Sequence, residues 1–207
     1  MFAGIFGPSK RKLIEQMRSE DNKTALQAIE RLKAIGWFRD GSLAGINLSR
    51  ANLAGAALAR ANMEGAVLRF ANLTRSYLGE TILRAADLRE AMLCDANMRQ
   101  VILHRANLRR ADLRRAYLAA SDLTGADLNE AYLQGANFWQ TRLQGATLYG
   151  AFLEGAIFEY AGFDASTVLP NGARWSPDVD MARFTDPAHP QFWSPDRLNG
   201  AHRPDEL

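Results

Sequence analysis

From Leu43 to Phe163 every fifth residue is Leu, Met or Phe, with no break. The 25 centre positions hold 20 Leu, with Met63, Met98, Phe138, Phe158 and Phe163 at the rest. Two residues before each centre sits a small residue: Ala in 18 units, Ser or Thr in four, and Gly41, Ile46 and Val101 in the other three. A period held this strictly settles the architecture before residue propensities are consulted. On an α-helix a five-residue step advances roughly 500°, so the centres would spiral around every side. On a flat strand the same step flips the side chain to the opposite face each time. A chain that turns a corner between units escapes both problems, because each unit can aim its centre at one common axis. The small residue and the centre are two apart, so an extended unit points both the same way. Four corners close a square, which makes a coil 20 residues long, stacked as parallel strands ~4.8 Å apart. Residues 41–165 supply 25 units, or six and a quarter coils, a prism roughly 30 Å tall.

Ala51-Asn52-Leu53, Ala106-Asn107-Leu108, Ala111-Asp112-Leu113 and Ala126-Asp127-Leu128 follow the pattern A(N/D)LxX. In these units the chain resembles the pentapeptide-repeat family, over about 60% of its length. The resemblance implies that family's right-handed quadrilateral β-helix, and the handedness rests on the resemblance alone. The expected fold is an all-β solenoid, a parallel β-helix of about six coils, with an N-terminal α-helical cap and an irregular C-terminal cap. The resemblance also implies an alternative function. Some members imitate DNA and bind type II topoisomerases such as gyrase, protecting them from quinolones.

Four Leu side chains per coil meet on the axis, with the Ala position packed beside them. A Leu buried this way contributes roughly 1.5–3 kcal/mol. A core so filled is close-packed and leaves no lumen for a substrate. The residue before the centre is Asn or Asp in eleven units: Asn47, Asn52, Asn62, Asn72, Asp87, Asn97, Asn107, Asp112, Asp122, Asp127 and Asn137. A carboxylate array for metal or acid–base chemistry is one reading. Satisfying backbone groups at the corners is the better one, because that demand recurs at every corner. Tyr77, Ile82, Ile102, Tyr117, Tyr132, Phe152 and Ile157 break the pattern at this position. Tyr132 and Phe152 are 20 apart and should stack on one face.

Open coil ends are unpaired strand edges over exposed Leu and need covering. Residues 1–40 are expected to form the first cover. Thr24 to Ile35 reads as an amphipathic helix, with Thr24 and Gln27 as a capping box, Ala25, Ala28, Ile29 and Leu32 on one face, and Gly36 as the stop. Ser9–Ser19 reads as a shorter helix. Residues 166–207 hold six of the seven Pro and carry Trp175, Phe184, Phe192 and Trp193; Leu169-Pro170-Asn171-Gly172 reads as a turn. This segment is expected to be an irregular cap with a loose final dozen residues.

The sequence has no glycine-rich phosphate loop, no Cys/His ligand spacing and no nucleophile elbow, so no catalytic, cofactor or metal site is expected. Cys94, the one cysteine, lies after a centre and should point outward, with Arg114 lowering its pKa. One cysteine excludes a disulfide framework. Met1–Gly7 is too short for a signal peptide and no run spans a membrane, which reads as a cytoplasmic, bacterial protein. Phe2, Ile5 and Phe6 beside Lys10, Arg11 and Lys12 offer a weak membrane-surface contact.

Charge stands out. Residues 1–115 carry 20 Lys/Arg against 11 Asp/Glu, and residues 116–207 carry 5 against 12, so +9 faces −7 along the stack. Arg69, Arg89 and Arg109 form a row at the 20-residue lag, and like charges so placed repel mildly. With Arg99 and Arg114 from the densest stretch they make the candidate binding face, with Asp112 alone opposing within that stretch. The reading is a non-enzymatic interaction scaffold with an unidentified protein partner. The alternatives are gyrase modulation by DNA mimicry and nucleic-acid contact by the basic half. Self-association of the basic half with the acidic half of another copy is a related reading.

Overall fold

The structure, a computed structural model, describes residues 9–36 and 38–196. Phe2, Ile5, Phe6, Trp37 and residues 197–207 lie outside them, and with them the membrane-contact and tail expectations.

The residue before each centre bridges in parallel to the residue 20 positions on: Asn47 to Val67, Asn52 to Asn72, Ala57 to Tyr77, Asn62 to Ile82, and so on to Arg142 with Gly162. Four units therefore close one turn of the chain, as the spacing predicts. Three backbone bonds per unit hold successive coils. Around one unit, the Leu93 N–H donates to Asp112 O at 2.7 Å, the Asp95 N–H to Arg114 O at 3.0 Å, and the Asp112 N–H to Ala91 O at 2.9 Å.

A fourth bond makes the corner. The Ala96 N–H donates to Leu93 O at 3.1 Å across a four-residue turn, and Asp95, its third residue, has φ 57°. A positive φ at that position is the signature of a type II turn. From Gly45 to Tyr160 all 24 such corner residues are left-handed, and only eight of them are Gly. A non-Gly residue there costs roughly 1–2 kcal/mol. The fold repeats that cost at 16 corners, held in place by the ladder and the buried axis. The five-residue period does not mark this position, because its residue types vary freely.

Every centre from Leu43 to Leu148 is fully buried. At the small position, the Thr81, Ser121 and Thr141 hydroxyls donate to the carbonyls of Leu58, Met98 and Leu118 at 2.8–2.9 Å, so these three are satisfied without disturbing the axis, while the buried Ser76 hydroxyl makes no hydrogen bond. The ring of Phe138 stacks on Phe158 at 4.8 Å, continuing the column beyond the last run of leucines.

Helix α1 spans Lys10–Met17 and α2 spans Asn22–Ala34. Helix α2 begins earlier than predicted. Asp21 is its N-cap, accepting from the Thr24 N–H at 3.0 Å and also from the Thr24 hydroxyl, so Thr24 is not the cap. The inward face is as predicted, with Ala25, Ala28, Ile29 and Leu32 buried. The segment meets the repeat through the backbone: Ser19 O accepts from the Asn52 N–H at 3.0 Å and Phe38 O from the Asn62 N–H at 2.8 Å. Asn22 Nδ2 donates to Asn52 O at 3.1 Å and Ala54 O at 3.0 Å.

At the far end the register slips by one residue, since Thr147 pairs with Val168. Val168 then pairs antiparallel with Arg174. The hairpin turns at the predicted site, where the Gly172 N–H donates to Leu169 O at 2.9 Å and Gly172 has φ 85°. Trp175 stacks on Phe163 at 5.8 Å. Helix α3 (Ala182–Thr185) buries Phe184, and Thr185 O accepts from the Gly155 N–H of the last coil at 2.7 Å.

Candidate binding faces

The 20-residue register sorts every outward side chain onto one of four faces. Face I carries Leu43, Met63 and their successors; face II, Leu48 and Leu68; face III, Leu53 and Leu73; face IV, Leu58, Leu78, Met98, Leu118, Phe138 and Phe158. Because the centres fill the axis, chemistry is confined to the positions before and after them.

Arg69, Arg89 and Arg109 all follow face II centres and make one row. Arg114 follows a face III centre and Arg99 a face IV centre, on the side opposite face II. The five predicted residues therefore divide over three faces. Nor is the row a bare line of like charge. Asp87 receives Arg89 at 2.7 Å and Arg69 at 3.7 Å, and Glu130 receives Arg109 and, at 2.6 Å, Arg110. Arg114 holds Asp112 at 2.6 Å and Arg115 holds Asp95 at 2.8 Å. Coil closure brings Asp87 to Arg69, Glu130 to Arg109 and Arg110, and Asp95 to Arg115, from 18 to 21 residues away, whereas Arg89 and Arg114 take acids two residues back in their own units.

The arginines set the carboxylates. Hydrogen bonds from Arg89 hold Asp87 below its ordinary range, and Arg115 does the same for Asp95. Glu130 is lowered by Arg110 and then Arg109, against burial. Burial pushes Asp112 upward, but bonds from Arg114 and Cys94 outweigh it and leave a net lowering. The thiol of Cys94 moves the other way from expectation. It is half-buried, and burial, then its bond to Asp112, raise its pKa against the smaller pull of Arg114. A thiol kept protonated is a poor nucleophile.

The Asn and Asp side chains perform the backbone task expected of them. In all eleven units the side-chain oxygen accepts from the N–H two residues on, the one corner donor that the ladder leaves over.

Aromatics concentrate on two faces. Tyr132 and Phe152 stack on face III at 5.1 Å and 6°, as their spacing predicts. Face IV exposes Tyr77, Tyr117, Trp139, Ile157 and Tyr160, the last at 81% of its surface. Trp139 meets Tyr160 edge-on at 6.3 Å. Trp139 and Tyr160 escape a reading focused on the position before the centre. Trp139 lies one residue after its centre and Tyr160 two after its own, 21 apart, so the 20-residue lag does not pair them either.

The Pentapeptide repeats family model matches residues 46–84, 81–119 and 121–159, in 8 copies. Among solved structures, the chain is similar to a pentapeptide repeat protein, Rfr23, from the cyanobacterium Cyanothece 51142, with 37% identity over 47% of this chain and a TM-score of 0.34. That match spans 63% of the other chain, less than two thirds of its length. It is similar also to HetL of Nostoc sp. strain PCC 7120, a pentapeptide repeat protein involved in heterocyst differentiation regulation. Identity there is 28%, over 62% of this chain and 74% of that one, with a TM-score of 0.37. QnrB1, a plasmid-mediated fluoroquinolone resistance protein, aligns at 21% identity over 70% of this chain and 81% of that one, with a TM-score of 0.34. No curated protein matches the chain.

Proposed function

The chain belongs to the pentapeptide-repeat family, and from that premise we propose that it is a non-enzymatic scaffold engaging a protein partner through its outer faces. The family's fold is the right-handed quadrilateral β-helix, which supplies the handedness that spacing alone leaves open. One observation carries the reading. The axis is filled from Leu43 to Leu148 by fully buried side chains, so the charged groups and the exposed aromatics of the stack project outward from a rigid prism. A surface of this kind suits recognition of an extended partner.

The flanks fit the same reading as closing pieces, residues 1–40 at one end and 166–207 at the other. Ser19 O and Phe38 O at the start, and Pro170 O and Thr185 O at the finish, accept backbone donors of the terminal coils. The lone cysteine accords with a reducing compartment, the cytoplasm. DNA mimicry would call for rows of unpaired acids in place of phosphates. Asp87, Asp95, Asp112, Asp122 and Glu130 are instead each held by arginine.

The test is capture from native-host extract with the full chain and two surface variants, Arg69→Gln/Arg89→Gln/Arg109→Gln on face II and Tyr77→Ala/Tyr117→Ala on face IV. A partner retained by the wild type and lost with one variant, at unchanged circular dichroism, supports the reading. A partner held equally by all three would exclude both faces. A DNA supercoiling assay and a salt-dependent gel shift address the two alternatives, and activity in either would replace the scaffold reading.

A further inference from the structure

We propose that face IV is a self-association surface whose occupant is a second copy of this chain, docked antiparallel about a two-fold axis. The proposal rests on the reading that the outer faces are the working surface, and it names one partner for one of them.

The column following the face IV centres runs Arg99, Ala119, Trp139, Glu159 along the stack, each one coil from the next. Consider a two-fold axis lying in the interface, parallel to the strands and midway between the coils of Leu118 and Phe138. It reverses the column and keeps every residue at the same point along its strand. Arg99 then faces Glu159 of the second copy, and Trp139 comes level with Ala119, which is already covered within its own chain. The same operation sets Tyr160 opposite Gln100 and Gln140 opposite Ala120 in the next column. Opposite charges meet at both ends, and long side chains meet short ones in the middle. An isologous interface requires this self-complementarity.

Three observations select this occupant. Arg99 and Glu159 are exposed and enter no ion pair among the described residues, whereas the other opposed pair on the face, Arg60 and Glu80, is joined by two bonds of 3.0 Å. Within the four shared coils face IV also exposes large apolar side chains, with Tyr160 at 81%, Tyr117 at 42% and Trp139 at 39%. Finally, the axis sets Arg99, the one basic residue of the four shared face IV coils, against Glu159, their one acidic residue. Such complementarity fixes register and steers encounter. A parallel arrangement would set like on like.

Four shared coils make a contact about 19 Å tall and ~13 Å wide. That is small for a protein interface, so the dimer should be weak and concentration-dependent. The experiment is sedimentation equilibrium of the full chain at low and high salt, comparing the wild type with Arg99→Glu, Glu159→Arg, their double variant and an equimolar mixture of the two single variants. Each single reversal creates two like-charge pairs and should weaken the dimer at least about tenfold. The double variant and the mixture both restore two opposite pairs and should return to near wild-type association. Added salt should weaken the wild-type dimer. A wild type that stays monomeric at millimolar concentration would overturn the proposal, as would singles that dimerise normally or a mixture that stays monomeric. Capture of a different protein by the monomeric single variants leaves the scaffold reading standing, so the two can fail separately.

Discussion

Replacing Leu113 with Ala tests the idea that the axis is a close-packed column. Leu113 is fully buried, one coil from Leu93 on one side and Leu133 on the other. The substitution removes three carbons, a transfer loss of about 2.4 kcal/mol at ~0.8 per methylene. A cavity term follows only if the surroundings fail to close in. Here they are held apart by the ladder: the Leu113 N–H donates to Tyr132 O at 2.8 Å and the Asp112 N–H to Ala91 O at 2.9 Å. Collapse would break those bonds. The cavity should therefore persist, adding about 24 cal/mol per Å³, or about 1.5–2 kcal/mol for a leucine-to-alanine void. The expected loss is about 4 kcal/mol, near the top of the range for buried leucines. Urea denaturation followed by circular dichroism measures it, with hydrogen exchange at the Leu113 and Asp112 amides reporting whether the loss is local. At Leu153, beside the terminal segment and slightly exposed, the same change should cost about half as much. A loss below about 1.5 kcal/mol at Leu113, or equal losses at the two sites, would refute a rigid, close-packed axis.

Glycine-to-alanine changes at the corners isolate the left-handed turn. Gly55 has φ 70° and open space around an added Cβ, so Gly55→Ala should cost about 1 kcal/mol from the dihedral alone, and Ala120→Gly should stabilise by a similar amount; equal melting temperatures would show the corners to be unstrained. The triple variant Arg69→Gln/Arg89→Gln/Arg109→Gln strips Asp87 of both partners, so melting should fall modestly; a rise would mean that like-charge repulsion governs the row after all. Asp87, Asp95 and Glu130 are depressed by arginine. Their contribution is complete above the unfolded carboxylate range and is lost as pH falls through the lower folded values, so thermal midpoints should hold at neutral pH and drop in acid, less steeply at high salt. A flat profile down to pH 2 would contradict it. Cys94, raised by burial and Asp112, should react with a thiol probe at neutral pH more slowly than free cysteine, and an equal or faster rate would show an activated thiolate.

The amino-acid sequence by itself determined the square coil. Period five excludes a straight helix and a flat strand on geometry alone, and the Leu-and-Ala spacing names the buried positions one by one. It also determined the role of the Asn and Asp residues, because a corner donor needs an acceptor wherever the corner recurs. The stacked aromatics Tyr132 and Phe152 were legible for the same reason: lag and contact coincide in a regular solenoid. The start of α2 was not, since Asp21 and Thr24 are both good caps and only the local chain path chose between them. The left-handed corners were hidden because backbone conformation there is imposed by the coils above and below, whatever side chain is present. The arginine surface depended most on tertiary structure. Arg69, Arg89 and Arg109 share a row by spacing; Arg89 takes Asp87 from its own unit, but Arg69 and Arg109 meet counter-charges 18 and 21 residues away that reach them only when the coils close. Arg99 and Arg114, 15 residues apart within one basic stretch, end on different faces because three corners lie between them. Periodicity tells which way a side chain points, whereas its electrostatic partners are decided by the neighbouring coil, where residues 20 apart become adjacent.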